Sequence, residues 1–100
     1  MSITVTDNGA ARRFEARDGD TVAGFADYLR DDRQVIYPHT QVDHAYEGRG
    51  VGSALARAAL DDARERGLTA IAACPFIAAW LDRHPEYADT ARRPDSDVTD

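Results

Sequence analysis

The chain has 100 residues, 43% hydrophobic and 30% charged, with a net charge of −6, the balance of one small soluble globule rather than a disordered segment. No run approaches the ~18 apolar residues of a membrane span, and the opening MSITVTDNGAARR lacks the basic start and apolar core of a signal peptide, so the expectation is a cytoplasmic chain with no membrane partner. The one cysteine, Cys74, excludes an internal disulfide and a multi-thiolate metal site, and the acidity argues against a clamp on nucleic acid.

In chain order, Ile3 and Val5 with the turn Asp7-Asn8-Gly9 predict a short first strand and a tight reversal. Residues 12–17 alternate around Phe14 and Ala16 and predict a second strand, closed by the turn Asp18-Gly19-Asp20. Thr21 to Leu29 has strand composition, with Gly24 marking a bulge. Asp31-Asp32 then reverses the chain into a fourth strand, Gln34 to Val42, in which Ile36, Thr40 and Val42 share one face and Val35, Tyr37, His39 and Gln41 the other. Pro38 has no N–H to donate, so that strand is bulged or unpaired on one side there.

The period then changes from 2 to 3.6. Residues 52–66 carry Leu55, Ala59 and Ala63 at i+4, with Ala56 and Leu60 alongside, an apolar stripe that predicts a helix ending at Gly67. Leu68 to Ala73 is apolar apart from Thr69, as for a buried parallel strand. Pro75 suits the first turn of a second helix, which runs to about Arg83 and is stopped by His84-Pro85. The predicted fold is α+β in the order β-β-β-β-α-β-α, one domain over residues 1–88, with a polar, frayed tail over 89–100.

The segment Tyr46-Glu47-Gly48-Arg49-Gly50-Val51-Gly52 joins a strand to the strong helix. Three alternating glycines remove each Cβ from the approach to the helix start, where converging N–H groups and the dipole favour an anion. Arg49 and Arg57 lie near enough in sequence to add charge. The plain alternative is a packing turn, for which three glycines are a costly choice. A dinucleotide fingerprint needs G-x-G-x-x-G and an acid ~20 residues on; here the spacing is G-x-G-x-G and the later segment has no acid. A P-loop needs a lysine, and the chain has none.

The remaining pattern resembles the GNAT superfamily of N-acetyltransferases, whose signature [QR]-x-x-G-x-[GA] marks the turn from the fourth strand into a long helix. Gly50 and Gly52 match it and Glu47 departs from it. The run HTQVDHAYEGRGVGSALARAALDDARERGL followed by CPFIAAWLDRHPEY is similar to the compact, one-domain branch of about 100 residues. The resemblance covers Pro38 to Tyr87 and implies a reduced GNAT fold that lacks the helix pair between the first two strands and the final strands. It implies acetyl-CoA as co-substrate. The backbone of Thr40, Gln41 and Val42 would pair with the pantetheine arm like an added strand. Gly48, Arg49, Gly50, Val51 and Gly52, with the Ser53 N–H, would hold the pyrophosphate, and Arg49 or Arg57 would reach the adenosine 3′-phosphate. Glu47 would place a carboxylate where a neutral or cationic residue is usual.

Many members use a tyrosine on the last helix as general acid, and the matching stretch Ile77-Ala78-Ala79-Trp80-Leu81 has none. Tyr87 follows only after Pro85. Cys74, at the start of the second helix, is the replacement candidate, to hold the acetyl group transiently or donate to the thioester; the alternative is a small buried hydrophobe. His39, on the strand that would line the acyl arm, is the candidate base, against a histidine packed on the sheet. His44 reads as solvated, His84 as a helix stop, Phe76 and Trp80 as core, and Asp61-Asp62 as a solvated helix face. The histidines lack metal-ligand spacing, so no metal is expected.

The resemblance implies direct acetyl transfer from acetyl-CoA to a primary amine. Without the walling elements, the groove would be open to an extended or protein-borne amine, or completed by a second subunit in a homodimer. A module that binds CoA or acyl-CoA without turnover is the alternative, and a purely structural domain the third.

Overall fold

The computed structural model describes residues 2–94. Four strands, β1 (Ile3–Asn8), β2 (Arg13–Asp18), β3 (Thr21–Asp27) and β6 (Thr40–Val42), form one antiparallel sheet in that order. Four short strands, β4 (Leu29–Arg30), β5 (Gln34–Ile36), β7 (Thr69–Ile71) and β8 (Ala91–Arg92), form a second, mixed sheet, again in that order. The helix α1, Val51–Arg66, packs on β2 and β3, and α2, Pro75–Asp82, lies against the start of α1. Among the described residues no helix is long and apolar enough to cross a membrane.

The helix start and stop signals act as their chemistry requires. Gly50, at φ 81°, caps α1, and Gly67, at φ 70°, ends it by donating to the Ala63 and Arg64 carbonyls. The predicted stripe is the buried face, Leu55, Ala56, Ala59, Leu60 and Ala63. It meets Ala16, Ala23 and Ala26 of the sheet, all fully buried. Alanine on both sides puts small side chains where helix and sheet meet, which allows close packing of a thin core.

The predicted fourth strand, residues 34–42, is divided. Tyr37 N–H donates to Ile71 O at 3.0 Å and Cys74 N–H to Tyr37 O at 2.8 Å, both within the second sheet. Two residues on, Asp27 N–H donates to His39 O at 2.9 Å, within the first. The crossing falls at Pro38, which has no N–H to leave unpaired. Beyond it, β6 and β7 diverge and leave a wedge between the sheets.

The predicted third strand likewise divides at Tyr28, into β3 and β4. The predicted bulge is one residue from Gly24: Ala16 pairs with Gly24 and Arg17 with Val22, so Ala23 is the extra residue. Gly24 serves close approach instead, since a Cβ there would lie 2.7 Å from Gln41 O and 3.2 Å from Val51 Cγ1. The first reversal spans residues 9–12, with Arg12 in the left-handed region at φ 55°.

Two expectations about the C-terminal part need correction. The chain after α2 is not frayed from Asp89 onward, and a strand does follow the last helix. Ala91–Arg92 pairs parallel with β7 (Ala70 opposite Ala91), and Ala91 is buried. Arg64 fixes the segment by donating to Glu86 O at 2.6 Å, Asp89 Oδ1 at 2.8 Å and Thr90 Oγ1 at 3.1 Å. A polar sequence conceals a strand two residues long. The rest of the predicted tail, 95–100, lies outside the described residues.

Candidate functional site

A cleft of about 440 Å³ opens between β6, the loop before α1, and α2. Val42, Glu47, Gly48 and Gly50 form one wall, the start of α1 (Val51, Gly52, Ser53) the floor, and Phe76, Trp80, Arg83 and His84 the other wall.

The loop is held from both ends. Asp43 accepts from Ala45 N–H at 2.9 Å and starts a 3-10 turn, His44–Tyr46. Tyr46 donates to Asp18 Oδ2 at 2.8 Å, tying the loop to the β2–β3 hairpin. Gly48 and Gly50 have φ of 79° and 81°, and nothing lies within 4 Å of where their Cβ atoms would be. Their backbone conformation demands glycine, and they leave an open approach. Gly52 has a different reason: a Cβ there would sit 2.6 Å from the Phe76 ring. In α1 the first intrahelical bond is Ala54 N–H to Gly50 O, 3.0 Å, so the Val51, Gly52 and Ser53 N–H groups have no acceptor in the preceding turn. They face the cleft with the positive end of the helix dipole.

At the wedge, odd residues of β6 pair with β3: Asp43 N–H reaches Ala23 O and His39 O accepts from Asp27, with Gln41 opposite Phe25 between them. By the antiparallel rule the Thr40 and Val42 backbone groups therefore point away from β3, along a free sheet edge. The Thr40 side chain lies at the apex beside Cys74. Its hydroxyl oxygen is buried and has no hydrogen bond of good geometry among the described residues. Cys74 is 4% exposed. Burial pushes its thiol up, but the Thr40 hydroxyl, the Ile77 and Phe76 N–H groups and the Thr40 backbone together outweigh burial and bring it below the usual thiol value.

His39 is not beside Cys74. It lies on the opposite face of β6 with Gln41 (Nε2 to Oε1, 3.4 Å) and with Phe25, ring centroids 5.9 Å apart. The two candidate catalytic residues therefore flank the strand and form no dyad. The predicted common face of Val35, Tyr37, His39 and Gln41 is broken at Pro38: Val35 and Tyr37 are buried, while His39 and Gln41 are exposed.

Of the two arginines, Arg49 stands over the Tyr46 ring at 5.9 Å. Arg57 does not line the cleft; it covers Trp80 at 5.2 Å and donates to the Tyr87 hydroxyl at 3.3 Å. Six positions past the start of α1 have carried it round the helix. Arg83 occupies the cleft instead. The Glu47 carboxylate pairs with His44 Nδ1 at 3.1 Å, in solvent at the rim.

Phe76, Trp80 and His84 form the ring-bearing wall; Trp80 is core and His84 follows the helix end, as the sequence suggested, while Phe76 is not core. Phe76 is 40% exposed. Trp80 is buried, stacks on His84 at 3.6 Å, and donates from Nε1 to Ser53 Oγ at 2.9 Å. A spacing of four running past the helix end into a histidine was the signal for it. Asp61 is exposed and Asp62 half-buried, and both are also paired: Tyr87 donates to Asp61 at 2.5 Å, and Asp62 takes Arg66 at 2.8 Å and Arg30 at 3.3 Å. Each of the four tyrosine hydroxyls donates to a protein oxygen: Tyr28 to Asp7, Tyr37 to Ala59 O, Tyr46 to Asp18 and Tyr87 to Asp61.

Comparisons with known proteins agree with this geometry. The family model described as GCN5-related N-acetyl-transferase matches residues 13–90. The solution structure of a GCN5-like candidate N-acetyltransferase from Staphylococcus aureus superposes with a TM-score of 0.67 at 26% identity, covering 95% of this chain and 91% of that one. Protein NATD1 of Homo sapiens and of Mus musculus is 42% identical over 53 residues, 53% of this chain. The chain spans about half the length of these curated relatives, 47% and 48%. With the family model spanning more than three quarters of the sequence and the same architecture in a solved structure, the chain belongs to the GCN5-related N-acetyltransferase family.

Proposed function

We propose that the protein is an acetyl-CoA-dependent N-acetyltransferase that passes the acetyl group directly to a primary amine. The observation that carries this is the strand that changes sheets at Pro38, leaving the outward backbone groups of Thr40 and Val42 without a strand partner beside three open N–H groups. That edge and those groups suit a pantetheine arm leading into a pyrophosphate. The fit is supported by the open space over Gly48 and Gly50.

The two faces of β6 divide the chemistry. The amine nitrogen approaches from the exposed face and attacks the thioester carbonyl carbon. As the C–S bond breaks, His39 accepts the proton of the attacking nitrogen. Cys74, beside Thr40 on the other face, donates a hydrogen bond to the departing thiolate, which then takes a proton from solvent. Holding both reactants in line supplies up to ~7–11 kcal/mol.

The engagement of all four tyrosine hydroxyls favours a second reading, a module that binds CoA without turnover, because none is free to protonate a thiolate. Calorimetric titration with acetyl-CoA and CoA, on the wild type and Gly50→Glu, tests the site. Saturable binding abolished by the added carboxylate is expected. An amine screen then separates the readings: turnover lost in His39→Ala with CoA binding intact supports the transferase, binding without turnover the module. No binding up to millimolar ligand overturns both.

A further inference from the structure

The hydrogen bond between Trp80 and Ser53 has a direction fixed by chemistry. An indole N–H only donates, so Ser53 Oγ must be the acceptor across the 2.9 Å contact. A serine hydroxyl has one proton of its own, and among the described residues that proton finds no protein acceptor. In a helix such a proton would ordinarily turn back to a carbonyl of the preceding turn; here the oxygen's orientation is set by the indole. Ser53 is the third residue of α1 and lines the cleft beside the open N–H groups.

Trp80 is itself held firmly. His84 stacks on its ring with 11° between planes and its Nδ1 bonds Trp80 O at 2.7 Å; Arg57 and Tyr87 cover the indole at 5.2 and 5.5 Å. The indole therefore cannot follow a wandering serine, and the serine rotamer is held by the indole. We infer that Trp80 is a positioning residue for phosphate recognition: it holds Ser53 Oγ so that the hydroxyl proton points into the cleft, where it donates to a phosphate oxygen of the acyl carrier beside the three N–H groups. The inference rests on the acyl-CoA reading above and adds to it a side-chain donor, with the residue that orients it.

The test is calorimetry with CoA on wild type, Ser53→Ala, Ser53→Thr, Trp80→Phe and the double variant Ser53→Ala/Trp80→Phe. Loss of a hydrogen bond to a charged group should weaken CoA on the order of tenfold in Ser53→Ala, while Ser53→Thr retains most of the affinity. Trp80→Phe should lose several-fold, and the double variant should bind within about twofold of Ser53→Ala, because the indole acts only through the hydroxyl. Losses that multiply would assign Trp80 a packing role and overturn the inference, as would Ser53→Ala binding like wild type.

A second readout does not depend on Trp80→Phe folding. The chain has one tryptophan, so its indole N–H gives one resonance. That resonance should shift in Ser53→Ala without ligand and lose its response to CoA; an unchanged resonance would overturn the inference. Wild-type protein that binds no CoA overturns the underlying reading, whereas wild-type binding with unaffected Ser53→Ala overturns this inference alone.

Discussion

The Gly52→Ala substitution separates cleft shape from fold stability. The new methyl would lie 2.6 Å from Phe76 Cζ and 3.1 Å from Cε2, about 1 Å inside the ~3.5–4.0 Å at which carbon atoms attract. The clash is with the far end of a side chain that is 40% exposed, so the ring can swing away at roughly 0.5–1.5 kcal/mol. Its way out is the cleft. Against this, alanine gains up to ~1 kcal/mol over glycine in a helix, less in the first turn. The net change in stability should stay within about 1 kcal/mol, or a melting-point shift under ~8 °C for a domain of this size. CoA affinity should fall about tenfold, since a displaced ring costs the ligand ~1–2 kcal/mol. Thermal melts and calorimetry on one preparation read both quantities. Gly50→Ala is the counterpart: with φ 81° and nothing within 4 Å, it should cost ~1–2 kcal/mol of stability from backbone strain. A fall of more than ~15 °C in Gly52→Ala would mean the ring cannot move; unchanged CoA affinity would mean that Phe76 does not wall the ligand site.

Two further outcomes are expected. Glu15, 3% exposed, accepts from Arg13 and Arg17 at 2.8 Å and from Asn8 at 3.1 Å. Those bonds, Arg17's first, lower its carboxyl from the usual 4.5 to about 2. A lowered folded-state value gives stability that is complete above the unfolded value and lost as pH falls from about 4.5 through about 2. Glu15→Gln should therefore lie about 2–3 kcal/mol below wild type at pH 7, with the gap closing as pH falls through about 2; a gap independent of pH would remove the ionic explanation. Cys74, with its thiol drawn below the usual value and 4% exposure, should show an alkylation midpoint below that of a free thiol, and saturating CoA should slow the reaction at least tenfold. Equal rates with and without CoA would place the thiol away from the ligand.

Elements that carry their own signals are legible in the sequence alone. The alanine–leucine stripe and Gly67 define α1, and the largely apolar run after it marks β7 as a parallel strand, as its pairing with β5 and β8 confirms, with Ala70 its buried residue and Thr69 exposed. The loop glycines are legible as a set, though not their separate reasons, because Gly48 and Gly50 answer to φ whereas Gly52 answers to a ring 24 residues away. Partner-dependent features are hidden. Arg57 reads as a phosphate contact from its distance in sequence, yet the turn of α1 brings it over Trp80. Arg83 reads as an ordinary helix end, yet α2 lies across the start of α1 and carries Arg83 into the cleft. β8 is held by Arg64 and by β7, neither of which a two-residue segment can announce.

Pro38 shows how a local defect becomes a site. A continuous strand from Gln34 to Val42 would tie both sheets into one surface, with every edge group paired. Because proline offers no N–H, the chain can exchange neighbours there: Tyr37 bonds toward β7 and His39 toward β3. The exchange separates β6 from β7 and leaves the outward backbone groups of Thr40 and Val42 without a strand partner. It also sets Cys74 at the apex, where its N–H completes the last bond of the second sheet with Tyr37 O. An unpaired edge is ordinarily a hazard for association. Here α2 and the α1 start overhang the wedge, so the edge faces a cleft that admits an extended ligand more readily than another sheet. On the proposed function, the pairing given up at Pro38 is the pairing that a pantetheine amide would restore.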